Sequence, residues 1–78
     1  MGRYYRLSKE VKPDQLKKIT DELGELQDVE LAEGDAEKRR IRVETHDDKF
    51  AEVMGAAVNI FSREANGTEI MFDGFAYK

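Results

Sequence analysis

Apolar positions alternate with polar ones in four short stretches of the chain and recur every three or four residues in two longer ones. The longest run spans residues 45–67, THDDKFAEVMGAAVNIFSREANG. Within it Phe50, Val53, Met54, Ala57, Ile60 and Phe61 share one face of a helical period, and Glu52, Asn59 and Arg63 take the opposite one. Thr45 followed by Asp48 resembles a capping box with Asp in place of Glu, which predicts a start at Thr45. Asp47 and Asp48 suit the positive end of the helix dipole, and Asn66-Gly67 predicts the stop.

Earlier in the chain, residues 3–7 (RYYRL) predict a strand with Tyr5 and Leu7 inward and Tyr4 and Arg6 outward. Pro13 suits the first helical position because its missing N–H costs nothing there. Lys12 is then the N-cap, and Val11 and Leu16 stand at the two positions of a hydrophobic staple. Leu16, Ile19, Leu23 and Leu26 predict an amphipathic helix over residues 13–26, with Gly24 near its end as an earlier stop. Residues 28–33 alternate, Val29 and Leu31 on one side and Glu30 and Ala32 on the other. Gly34-Asp35 opens a hairpin loop of about five residues, ending at Lys38. Residues 39–44 alternate again, with Ile41 and Val43 inward and Arg40, Arg42 and Glu44 outward. Residues 68–72 predict the last strand, with Ile70 and Phe72 inward. Asp73-Gly74 marks a turn or bulge, leaving residues 75–78 as a short returning strand or an irregular tail.

This order is β-α-β-β-α-β, with each strand and each helix apolar on one face. It predicts an α+β, ferredoxin-like βαββαβ fold: a four-stranded antiparallel sheet with two helices on one face. Right-handed crossovers put the first and third strands in the centre. An α+β sheet with swapped strands and longer loops is the alternative.

Length and charge narrow the function classes. At 78 residues the chain is read as one domain, residues 1–78. It has no cysteine, which excludes a disulfide framework, a thiolate metal site and a thiol nucleophile. No apolar run approaches the length of a membrane span, and the N-terminal MGRYYRLSKE lacks the apolar segment of a signal peptide, so a soluble, cytoplasmic protein is expected. With its close end after the last strand, it is read as a module of a longer chain. Thirteen Lys and Arg against 17 Asp and Glu give a net charge of −4, which does not attract nucleic acid or anionic lipid to the molecule as a whole.

Chemistry-bearing residues are sparse. His46 is the one histidine, and neither Ser8 nor Ser62 lies in a nucleophile motif, so no catalytic residue is assigned and no enzyme is expected. Glu44, His46, Asp47 and Asp48 hold metal-ligating groups, but consecutive residues point in different directions and the acids are accounted for as helix-start residues. No metal or cofactor residue is assigned.

The outward face of the predicted sheet is the candidate interaction surface. It collects Tyr4, Arg6, Arg40, Arg42 and Met71, with Lys38 and Arg39 at the rim. Glu30, Glu44, Glu69 and Asp73 share that face, so cross-strand Arg–carboxylate pairs are the plainest expectation. Tyr4 and Met71 outward leave a modest apolar spot, suited to a protein partner or a homodimer. Arginine beside an aromatic on an open sheet is also the makings of a single-strand nucleic-acid platform, the second candidate. The stretch KRRIRVET offers no stacking ring for that use.

With this size and order of elements, and with LGELQDVEL leading from the first helix into the second strand, residues 4–72 resemble a heavy-metal-associated domain of the copper-chaperone type. The resemblance implies a metal loop, Met-x-Cys-x-x-Cys, between the first strand and first helix. That segment reads LSKEVKP here, so no ligand role passes to any residue. A cysteine-less relative of that kind implies a small interaction or regulatory module, or a domain handling metal ions by other means.

Overall fold

Among the described residues, seven elements follow one another: β1 (Gly2–Leu7), α1 (Pro13–Gly24), β2 (Val29–Asp35), β3 (Arg40–Thr45), a 3₁₀ turn (His46–Asp48), α2 (Phe50–Glu64) and β4 (Ile70–Ala76). The computed structural model describes residues 2–65 and 67–76. The strands form one antiparallel sheet in the order β2-β3-β1-β4, which puts β1 and β3 in the centre. This is the ferredoxin-like βαββαβ arrangement.

One core lies between sheet and helices. Tyr5, Leu7, Ile41 and Val43 meet Leu16, Ile19 and Leu23 of α1 and Phe50, Val53, Ala57, Ile60 and Phe61 of α2. The staple residues Val11 and Leu16 are both buried, and α1 starts at Pro13 with the Leu16 N–H donating to the Lys12 carbonyl. The helix ends at Gly24, ahead of Leu26, which is half-buried against the core. Side chains along α1 meet the C-terminal end of α2. Lys18 Nζ lies 3.3 Å from Glu64 Oε2, and Arg63 Nη2 lies 2.5 Å from Glu22 Oε2. The Gln15 side-chain amide donates to the Glu64 carbonyl.

The structure corrects several expected details. Val29 pairs with Thr45 but Leu31 pairs with Glu44, so a bulge at Glu30 flips the rest of β2. Ala32, opposite Val43, packs against the core, and Leu31 lies on the outer face with Glu33. Gly34 is not a turn glycine. It sits inside β2 opposite Ile41, where a Cβ would stand 2.6 Å from Leu16 Cγ. The turn itself is tighter than expected, with Arg39 in the left-handed region (φ 52°) and the Lys38 N–H donating to Asp35 Oδ1 at 3.2 Å.

The start of α2 also differs. Thr45 completes β3 and its hydroxyl caps nothing. The chain then reverses at Asp47 (φ 54°), a conformation Asp tolerates better than most residues. The helix begins only at Phe50, and the Asp48 side chain expected in a capping box lies outside the described residues. At the far end Gly67 (φ 75°) donates its N–H to the Ser62 carbonyl; Asn66 lies outside the described residues. Glu69, expected on the outer face, precedes β4 and exchanges hydrogen bonds with Ser8 instead. β4 runs on past Asp73-Gly74, which form a bulge rather than a turn, and pairs with β1 as far as Ala76. Residues 77–78 of the expected tail lie outside the described residues.

Candidate interaction surface

Strand register places the five sequence-selected residues on one face. Tyr4 pairs with Arg42, and Arg6 pairs with Arg40 on one side and Met71 on the other. Directly opposed residues in an antiparallel sheet share a face, so all five stand on the side away from the helices. The inward neighbours Tyr5 and Ile41 are buried, as that alternation requires.

Two of the three guanidiniums are engaged within the face. Arg40 lies over the Tyr4 ring, its Cζ 3.7 Å from the centroid, and its Nε is 3.6 Å from Asp73 Oδ2. Arg42 Nη2 stands 2.5 Å from Glu44 Oε2, two residues along the same strand. Glu44 is buried there against Gly2, where a Cβ would come within 2.5 Å of the Glu44 Cγ. Arg6 is exposed between Arg40 and Met71, and Met71 is 42 % exposed. Toward the hairpin the face opens into a shallow depression of about 490 Å³ bounded by Tyr4, Glu33, Asp35, Lys38, Arg40 and Arg42. Acids on β2 oppose bases on β3 there, Glu33 facing Arg42 and Asp35 facing Arg40.

Sequence reasoning missed one contributor to this face and the exposure of two aromatics on the other. Leu31 reaches the face only through the bulge, and nothing in the alternation of residues 28–33 marks where a bulge falls. Phe72 and Phe75 are exposed although they pair with Tyr5 and Arg3 on the helix side. That exposure has no sequence signal, because it depends on β4 being an edge that α2 only partly covers.

Other candidate chemistry is dispersed. His46 is exposed, its Nδ1 3.8 Å from Glu30 Oε2. Among the described residues no group of three or more His, Cys, Asp or Glu side chains is placed to hold a metal ion. The β1–α1 loop does not fit copper. It carries no thiol, the Ser8 hydroxyl accepts from the Glu69 N–H at 2.8 Å, and Lys9 and Lys12 flank the lone carboxylate Glu10.

Neither a protein-family model nor a curated protein matches this sequence. Among solved structures, the chain is similar to the crystal structure of a copper-binding domain from HMA7, a P-type ATPase. The two align with a TM-score of 0.75 over 97 % of each chain at 10 % identity, a likeness of fold. No helix among the described residues is long and apolar enough to cross a membrane.

Proposed function

We propose that this protein is a non-enzymatic interaction module whose working surface is the open face of the sheet. The observation that carries the reading is the pairing of exposed Arg6 with exposed Met71 beside the Tyr4–Arg40 stack. An apolar spot ringed by balanced charge is the make-up of a protein contact rather than a polyanion groove. The pairing of Arg40 with Asp73 and of Arg42 with Glu44 supports a protein over a nucleic acid, since it neutralises guanidiniums that phosphates would need. The similar solved domain binds copper, but the β1–α1 loop here offers a donor set unsuited to it, which favours interaction over metal handling.

Peptides selected against the domain from a random display library test this reading. They are expected to shift the amide signals of Tyr4, Arg6, Arg42 and Met71 and to lose binding to Arg6→Glu. Shifts confined to the helices, or unaltered binding by Arg6→Glu, would reject the open face. A mixed oligonucleotide pool at low ionic strength is expected not to bind, because phosphate contacts are strongest there.

A further inference from the structure

Among the described residues the large exposed apolar side chains are Val58, Met71, Phe72 and Phe75. Three of them lie on β4, an edge of the sheet. The fourth lies on α2, and helical geometry places it above the same edge. Arg63 meets Glu22 of α1, and Ala56 borders Leu26 and Gln27 just beyond α1, so that flank of α2 faces α1. Val58 lies on the opposite flank. The α2 crossover joins β3 to β4 over β1, which turns the Val58 flank toward β4.

The two sheet edges are treated very differently. β2 carries Glu30, Glu33 and Asp35 and is broken by its bulge, all devices that discourage edge pairing. β4 reads IMFDGFA, with no Lys and no Pro. Its one charge, Asp73, is 3.6 Å from Arg40 of the same chain. Phe72 and Phe75 stand edge to face with centroids 5.2 Å apart, and the Arg3 guanidinium lies 5.7 Å from each ring.

We propose that a second copy of this chain occupies this edge, its β4 antiparallel to the first across a two-fold axis normal to the sheet. An open strand edge presents a row of main-chain donors and acceptors, so its occupant must bring extended backbone. β4 is itself such a strand. The two-fold axis keeps inner face against inner face, so the Phe72, Phe75 and Val58 side chains of both copies cluster on the helix side. The Met71 side chains approach each other on the outer face. Charge chooses the location. Two chains of net charge −4 repel, and β4 is where they meet without opposing charges, because Asp73 is neutralised internally. The bulge at Asp73-Gly74 restricts regular pairing to the first half of the strand, which makes the side-chain cluster essential to the contact. This contact uses the strand edge and a helix flank, so it stands or falls separately from the open-face reading.

Sedimentation equilibrium of the 78-residue chain from micromolar to millimolar concentration tests it. The mass is expected to rise from 9.0 kDa toward twice that value. Val58→Lys and Phe72→Lys bring like charges together at the two-fold axis and remove buried apolar surface; each should weaken association about tenfold or more. Val58 is exposed on a helix, so its variant keeps the test valid if Phe72→Lys folds poorly. Asn59→Lys, with the same added charge on the solvent side of α2, should associate as the parent does. A strict monomer at millimolar concentration overturns the proposal and leaves the edge to an extended segment of another protein. Association that survives both Val58→Lys and Phe72→Lys, or that Arg6→Glu alone abolishes, also overturns it.

Discussion

Arg40 covers one face of the Tyr4 ring at 3.7 Å, and through its contact with Asp73 the same guanidinium spans β3, β1 and β4 on the open side of the sheet. Tyr4→Leu keeps most of the bulk and removes the ring's quadrupole. It should cost about 0.5–1 kcal/mol in urea denaturation, the range of a partly exposed cation–π contact. Unchanged stability would mean that the stack adds nothing beyond packing.

Two glycines should respond to the same substitution with opposite sign. Gly34→Ala puts a Cβ into Leu16 between β2 and α1, and should destabilise by about 1–3 kcal/mol. Gly55 lies within α2, where an added methyl group would meet nothing within 4 Å, so Gly55→Ala should stabilise by about 0.5–1 kcal/mol. Thermal melts of the two variants decide this; a Gly34→Ala chain that melts at or above the parent would contradict the close approach of α1 to β2.

Phe61 is fully buried beneath α2 and among the largest side chains in the core. Phe61→Ala should cost about 3–5 kcal/mol, a large share of the stability of a domain this small. Denaturant midpoints measure it directly, and a loss below about 1 kcal/mol would remove α2 from its place over the core.

The joint between the helices should be acid-sensitive. The hydrogen bond from Arg63, and after it that from Lys18, holds the Glu64 carboxyl below the usual carboxylate range. A carboxylate whose folded value is depressed adds stability above its unfolded value, about 4.3, and loses it as the pH falls through the lower folded value. Glu64→Gln should therefore be less stable than the parent at pH 7, and the gap should narrow as the pH falls below the unfolded value of about 4.3. A gap that widens on acidification would contradict a depressed Glu64 carboxyl.

Periodicity carried most of the fold. Tyr5 and Leu7, Ile41 and Val43, and the stripes of both helices needed only alternation or helical spacing to be read. Two of the errors share one physical origin: single residues whose backbone departs from the regular period. The bulge at Glu30 reversed Leu31 and Ala32, and left-handed Asp47 turned an apparent capping box into a strand end. Gly34 looked like turn chemistry because a close helix and a tight turn ask for the same residue. The open-face residues were legible because β1 and β3 are regular across that face. The exposure of Phe72 and Phe75 was not, since it depends on β4 being an edge that α2 only partly covers.

Above all, the outward flank of α2 should stay free while the open sheet face and the β4 edge meet partners. A photo-cross-linking residue introduced in turn at Met71 and at Asn59, in the chain expressed in its own cells, tests that division most directly. Position 71 should trap discrete adducts, of the chain with itself or with another protein, and position 59 on the solvent side of α2 should trap none above background. Equal labelling at both positions, or adducts at 59 alone, would contradict it.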